Sequence, residues 1–312
     1  MVQNKKKGFK LPLSLRSVTD AIGGTATDSE REQLLIVLVD SALDPALRLH
    51  AKSALRPQAK NVRVVVQSYR DTRLIFPEET TLVVLLAADA PVTGALLIQA
   101  LRQQLPAVAV TLDATQLMET AEANNQEIDP LSVISTKLDS AGAGAHEELF
   151  RNLGSWVVRK LPEERLSLAR ALPFIREPLV QETIQATAVQ NAAISVAFFL
   201  PGADLPLLTV NQIKLFLQIA ALYGVEIDNS RLKEIAVLVV SGFGMRALAR
   251  KLVGLVPVFG WAVRGLVGYT GTLAVGKAAD EYCKRGGDPK ELLAGFKRDG
   301  SASEPTTYIT LE

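Results

Sequence analysis

Five segments in the first half of the chain are predicted strands, and the first of them is a continuous apolar run with the length of a buried strand. They cover residues 34–40, 62–69, 82–88, 107–112 and 131–135. Continuous rather than alternating apolar runs are typical of parallel strands that are covered on both faces. Helical segments at residues 45–58 and 90–105 separate some of them, and Asp44 and Pro45 provide an N-cap and a first helical residue. The pattern predicts an α/β fold over residues 31–140, with a doubly wound, mostly parallel sheet.

A second pattern, with helical spacing, follows the last predicted strand. One face of it is apolar and consists of Leu149, Phe150, Leu153, Trp156, Val157 and Leu161. Such a stripe buries itself against a neighbouring layer while the opposite face stays in water. Residues 141–182 are therefore predicted to be amphipathic helices that pack on the sheet and lead into the rest of the chain.

Residues 183–285 are mostly apolar and rich in glycine, and they predict an all-α hydrophobic helical domain. Residues 212–223 are apolar around almost the whole helix circumference, which is typical of a large core or of lipid. Three segments come close to a membrane span: 183–203, 235–245 and 252–276. The third carries Arg264 near its middle. An arginine there disfavours membrane insertion by about 2.5–3.5 kcal/mol, whereas each Leu, Val or Phe favours insertion by about 0.3–0.6 kcal/mol. Insertion is close to neutral on this scale.

Small residues recur every four positions near the end of this domain, at Gly268, Thr272 and Gly276. They share one helix face, and this spacing lets two helix backbones approach closely, in membranes especially. The same spacing also suits tight packing within a soluble bundle. Trp261 is interpreted as a packing anchor or as a residue of a membrane interface.

The composition excludes some classes of function but does not indicate an activity. The 312 residues allow two domains, and a net charge of +1 with a pI of about 7.8 gives no electrostatic argument for nucleic acid. The mean hydropathy of +0.19 is high for a cytosolic protein. The single cysteine, Cys283, excludes an intrachain disulfide and fits a reducing compartment. Residues 1–30 are predicted to be a basic, flexible tail and residues 286–312 a polar tail.

The connection after the first strand decides whether the α/β domain could hold a nucleotide. A phosphate-binding loop needs the pattern G-x-x-x-x-G-K-[ST], in which backbone N–H groups and a lysine surround the phosphates. This chain has DSALDPAL there, without glycine or lysine. Asp44 instead places a carboxylate where phosphates would bind. The sequence therefore predicts an α/β domain without nucleotide or other cofactor.

Three aspartates follow predicted strands and form the only candidate metal site. Asp40, Asp89 and Asp113 each lie near the carboxyl end of a strand, where ligands bind in open α/β sheets. Clustered carboxylates there could hold Mg²⁺. The competing interpretation is helix capping, which by itself explains an aspartate at each position. The two histidines, His50 and His146, have no recognised catalytic spacing, and no catalytic residue is predicted.

Two phrases in the last third of the chain carry a resemblance. FFLPGADLPLLTVNQIKLFLQIAALYG is followed by VPVFGWAVRGLVGYTGTLAVGKAADEY. Together they resemble the GTPase-associated family called domain of unknown function 697. The resemblance implies a preceding Ras-like GTPase domain and a link to the bacterial inner membrane, where some relatives reside. Because the phosphate-binding pattern is missing, the α/β domain is then expected to be a degenerate, GTPase-like domain. The resemblance brings no catalytic residues.

These patterns favour a non-catalytic protein that docks to the cytoplasmic face of the cell membrane or to another protein. Self-association through the helical domain is expected, and nucleic acid is not. Two alternatives stay open. One is a soluble homo-oligomer in the cytoplasm that buries its apolar helices between subunits, and the other is a magnesium-dependent enzyme that uses the acidic strand ends.

Overall fold

A computed structural model describes residues 31–69, 74–87, 91–136, 142–197, 204–225 and 260–286. Within these residues the chain divides into two compact units, with the boundary between Gln181 and Glu182. The first is the α/β unit. The described residues of the second are almost entirely helical, and we call it the helical unit. The predicted tails lie outside the described residues, apart from Gly286.

The sheet of the α/β unit has five parallel strands. They are β1 (Gln33–Asp40), β2 (Val62–Tyr69), β3 (Thr80–Leu86), β4 (Ala107–Val110) and β5 (Val133–Ile134). Their spatial order is β2-β1-β3-β4-β5. Every residue of β1 is buried, which explains its unbroken apolar sequence. The order reverses between β1 and β3, so the switch point of this doubly wound sheet lies at the carboxyl ends of these two strands.

Helices separate and follow the strands. They are α1 (Pro45–Ala54), α2 (Pro91–Arg102), α3 (Ala114–Ala123), α4 (Gly142–Lys160), α5 (Arg165–Ala171) and the start of α6 (Pro173–Ala197). The predicted apolar stripe lies on α4, except for Leu161 directly after the helix, and all six of its side chains are buried. The region predicted as linking helices therefore belongs to the α/β unit, and only the later part of α6 lies in the helical unit.

Several element ends differ from the sequence prediction, and polar groups explain two of them. β4 ends at Val110 because the next residues form a turn in which Asp113 donates its N–H to the Thr111 hydroxyl at 3.2 Å. β5 is only two residues long because Asp129 caps a 3-10 turn, Pro130–Ser132, just before it. Helix α3 was not placed by the sequence analysis, and α1 ends at Ala54, before the predicted residue 58.

The described part of the helical unit contains the end of α6, α7 (Leu205–Tyr223) and α8 (Gly260–Lys284). Helices α6 and α8 are antiparallel, because Gly276 of α8 lies against Ile184 and Gly265 lies against Val196. Helix α7 ends at Gly224, whose φ of 67° is left-handed and suits glycine. None of the helices in the described ranges is both long and apolar enough to span a bilayer. The segment 235–245, considered as a span, lies outside these ranges.

Candidate functional site

The β1–α1 loop occupies the place of a phosphate-binding loop, and its own carboxylates use its N–H groups. Asp40 accepts a hydrogen bond from the Ala42 N–H at 2.8 Å, and Asp44 accepts one from the Leu47 N–H at 2.9 Å. The Asp44 cap predicted from sequence is thus confirmed. The Arg48 guanidinium donates to the carbonyl oxygens of Asp40 at 3.2 Å and Ser41 at 2.9 Å. The loop therefore makes its hydrogen bonds with its own residues and with α1, and an anion at this place would meet the negative charges of Asp40 and Asp44.

A buried polar cluster lies beside this loop, at the switch point of the sheet. The hydroxyls of Tyr69 and Thr93 share a hydrogen bond of 2.7 Å, and the Tyr69 hydroxyl donates to Asp40 at 3.4 Å. Burial raises the pKa of Tyr69 well above its usual value, and the nearby Asp40 charge acts in the same direction. Tyr69 therefore stays a neutral donor, and the cluster satisfies its own hydrogen bonds.

The three aspartates considered as metal ligands are not brought together in the described structure. Asp113 caps α3 and accepts the Gln116 N–H at 3.1 Å, while Asp40 belongs to the β1–α1 loop. Strand β3 lies between β1 and β4, so about two interstrand spacings of 4.8 Å separate their ends. Asp89 lies outside the described residues. Within the described ranges, no group of three His, Cys, Asp or Glu side chains could hold a metal ion.

The two histidines, separated by almost a hundred residues, meet between α1 and α4. The ring centroids of His50 and His146 are 5.9 Å apart, and His50 also lies 5.2 Å from the ring of Phe150. His146 Nε2 lies 3.8 Å from the Asp44 carboxylate. Burial and the neighbouring His146 lower the pKa of His50, although Glu147 acts in the opposite direction. Sequence reasoning missed this pair because no local spacing connects the two helices.

The small-residue stripe of α8 packs against α6 of the same chain. A Cβ on Gly268 would lie 2.5 Å from Ser195 Oγ and 2.9 Å from the Asn191 carbonyl oxygen. A Cβ on Gly276 would lie 2.6 Å from Ile184. Close packing, one of the two interpretations of this spacing, thus takes place inside the helical unit. The stripe is buried there and does not provide a surface for self-association.

The other two residues singled out on this helix lie near its beginning. Trp261 is in the first turn of α8, and its side chain lies outside the described part of the structure. Arg264, one turn later, is half-buried.

Thr272 is also the centre of a buried polar network that joins three helices. Its hydroxyl accepts hydrogen bonds from Asn191 of α6 at 2.9 Å and Gln212 of α7 at 3.2 Å, and it donates to the Gly268 carbonyl at 2.8 Å. Asn211 donates to Asn191 at 2.9 Å. All of these side chains have nine-tenths or more of their surface buried. The helical unit therefore holds uncharged polar groups inside an otherwise apolar core.

The part of the helical unit's surface that the structure describes is divided along its length. At one end, which we call the uncharged end, α6 finishes while α7 and α8 begin, and its exposed apolar side chains are Val196, Leu207 and Leu266, at 39%, 42% and 60% exposure. Between Thr183 and Ala197, α6 has no charged residue. Arg264, half-buried, and Asp204, buried, are the formal charges among the described residues of this end. The exposed charges of α8 collect at the opposite end, at Lys277, Glu281, Lys284 and Arg285.

Neither a protein-family model nor a curated protein sequence matches the chain. The resemblance of its last third to the GTPase-associated family therefore rests on the residues quoted above and stays a prediction.

Proposed function

We propose that this chain is a non-catalytic docking protein. Its α/β unit is a pseudo-GTPase-like domain that does not hydrolyse GTP. Its helical unit docks by the uncharged end onto the cytoplasmic face of the cell membrane. The observation that carries the proposal is the division of the helical unit into an uncharged, apolar end and a charged end.

The distribution of polar groups supports a lipid surface as the partner. Asn191, Gln212 and Thr272 point inward, while Val196, Leu207 and Leu266 face outward. Interhelical hydrogen bonds between Asn, Gln and Thr side chains, together with small residues where helices touch, are typical of helices that pack in a lipid environment. Residues 198–203, FFLPGA, follow α6 and contain no charged residue, and Asp204 separates them from α7.

The strength of docking follows from the exposed area. Burial of a whole Leu or Val side chain contributes about 1.5–3 kcal/mol, and these residues are only partly exposed. The uncharged end therefore supplies a few kcal/mol, which is enough for reversible binding. Lys5, Lys6, Lys7 and Lys10 of the tail add about 1 kcal/mol each near an anionic surface. We expect a peripheral protein. High salt should weaken its binding to the membrane, and carbonate should release it from the membrane.

The α/β unit is proposed as non-catalytic because its β1–α1 loop closes on Asp40 and Asp44. The N–H groups of Ala42, in the loop, and of Leu47, in the first turn of α1, are already bonded to carboxylates, and the Leu43 N–H is bonded to the Asp40 carbonyl oxygen. The arginine nearest to the loop, Arg48, points its charge at carbonyl oxygens of the loop. This arrangement supports the interpretation that the domain has the sheet of a nucleotide-binding domain but does not bind a nucleotide.

Flotation of the full-length protein with vesicles tests the docking proposal. Vesicles of phosphatidylethanolamine and phosphatidylglycerol are mixed with the wild type and with the double variant Val196→Asp/Leu266→Asp. We expect the double variant to float at least about tenfold less. Leu49→Asp is the matched control, because Leu49 is an exposed leucine, at 71%, that lies on α1 in the α/β unit.

Two outcomes would contradict the proposal. Equal flotation of the wild type and the double variant would show that the uncharged end does not contact lipid. Absence of flotation together with a smaller mass for the double variant in light scattering would instead establish a soluble homo-oligomer joined through these helices.

A further inference from the structure

Strand β2 forms an open edge of the parallel sheet. It has β1 on one side, and on the other side the backbone of residues 63–68 makes no hydrogen bond to any described part of the chain. Helix α5 contacts the strand, yet Arg63, Val66, Gln67 and Ser68 remain exposed and Val64 and Val65 are half-buried. An eight-residue strand thus presents its unpaired N–H and C=O groups to its surroundings.

Open edges of this length are normally blocked, because unpaired strand edges recruit other strands. Charged side chains, proline, a bulge or a very short strand are the usual protections. The opposite edge of this sheet follows that rule, since β5 has two residues. Strand β2, VRVVVQSY, carries a single charge, Arg63 near its beginning, and it pairs with β1 residue for residue without a bulge.

We propose that β2 pairs with β2 of a second copy of this chain, antiparallel and around a two-fold axis at Val65. The inference is independent of membrane docking, which concerns the helical unit. Two-fold pairing is closed, because the same patch is used on both copies. It joins the two five-stranded sheets and satisfies the outer backbone groups of both β2 strands at once.

The register is chosen by the side chains. With Val65 on the axis, Val64 lies opposite Val66 of the second copy, and Arg63 lies opposite Gln67 of the second copy. Apolar side chains therefore meet apolar ones, and the guanidinium meets an amide oxygen, which are favourable cross-strand pairs. Arg63 is in addition 3.6 Å from Glu79, so no uncompensated charge enters the interface. No position in this register brings like charges together.

The same geometry sets the strength of the dimer. One strand pair with partly exposed valines buries less surface than a standard protein interface of about 1,600 Å², so the dimer is weak and depends on concentration. A second copy satisfies the edge better than an arbitrary peptide because its length and its side chains match the strand by symmetry.

Sedimentation equilibrium of the full-length protein over a range of concentrations tests the proposal. We expect a monomer–dimer equilibrium that the variant Val66→Lys weakens at least about tenfold, because lysine opposes Val64 of the second copy and protects the edge. Val189→Lys is the matched control: Val189 is exposed to the same extent, 60%, but lies on α6. It should leave the association constant unchanged.

Three results would overturn the inference. They are a monomer at every concentration, a dimer that Val66→Lys does not weaken, and a dimer that Val189→Lys weakens instead. Hydrogen exchange of the wild type provides a second measurement that needs no variant. The amides on the outer side of residues 63–67 should exchange more slowly at high than at low protein concentration, and an exchange rate independent of concentration would also refute the pairing.

Discussion

Asn191 and Thr272 are eighty-one residues apart in sequence and share a buried hydrogen bond of 2.9 Å. The bond joins α6 to α8, and Gln212 adds α7 through the same threonine oxygen. Buried donors that lose their acceptor cost free energy because water cannot replace it. The network therefore fixes which faces of the three helices meet, in a core whose other contacts are apolar and less directional.

Thr272→Val tests this network. Valine has the shape of threonine but no hydroxyl, so the amides of Asn191 and Gln212 would lose an acceptor. We expect the free energy of unfolding to fall by about 2–4 kcal/mol, measured by urea denaturation. Thr270→Val is the control, because the Thr270 hydroxyl makes the same helical bond, 2.8 Å to Leu266, on the exposed side of α8. It should cost less than about 0.5 kcal/mol, and equal costs would show that the network adds no stability.

Gly268→Ala tests the close contact of α6 and α8. The added methyl would meet Ser195 Oγ and the Asn191 carbonyl, so we expect a loss of about 1–3 kcal/mol in the free energy of unfolding. Gly144→Ala on α4 meets no atom within 4 Å and should stabilise by up to about 1 kcal/mol. If both alanines stabilise the protein equally, the contact is looser than described.

Nucleotide and magnesium should both leave the protein unchanged. Asp40 and Asp44 occupy the loop donors, so calorimetry with GTP should give no heat of binding, and Mg²⁺ should not shift the melting temperature. Asp40→Asn should not create a response to Mg²⁺. Binding of GTP in the micromolar range would contradict the pseudo-GTPase proposal. A rise in melting temperature with Mg²⁺ that Asp40→Asn abolishes would revive the acidic strand-end site.

Mild acid should destabilise the α/β unit through His50. Its folded-state pKa is lowered from 6.5, so below about that pH the unfolded chain takes up a proton more readily than the folded chain does. This contribution is absent at pH 7.5 and grows as the pH falls through 6.5 toward the folded-state pKa. His50→Gln should therefore lose less stability than the wild type between pH 7.5 and 5.5 in urea titrations. Identical pH dependence would exclude His50 as the cause.

The sequence predicted the sheet better than its helices, for physical reasons. Strand β2 has the predicted bounds because a turn at residues 60–61 precedes it and β1 pairs with it along its whole length. Helix α3 was missed because its signal is short: Asp113 as a cap, followed by Leu117 and Ala121 as its buried residues. Before β5, the sequence pattern predicts Leu131 to be a strand residue, but it lies in a 3-10 turn. There its carbonyl oxygen accepts a hydrogen bond of 2.8 Å from the Trp156 indole N–H.

The candidate sites show the limit of local patterns. Spacing alone placed Gly268, Thr272 and Gly276 on one face, but it could not reveal that Asn191 and Ser195 of the same chain cover that face. The role of Asp44 was readable because an N-cap is a local interaction. The meeting of His50 with His146, and the hydrogen bonds of Thr272, depend on tertiary packing over long sequence distances, which no local periodicity encodes.

The self-closed loop between β1 and α1 has a consequence for how such a protein could act in a cell. Proteins that cradle a nucleotide at this position alternate between two shapes as the nucleotide is exchanged and hydrolysed. With the proposed function, we expect a loop held by Asp40, Asp44 and Arg48 to keep one shape whatever the cellular GTP level. The α/β unit would then present the same surface at all times, and exchange or hydrolysis of GTP would not regulate it.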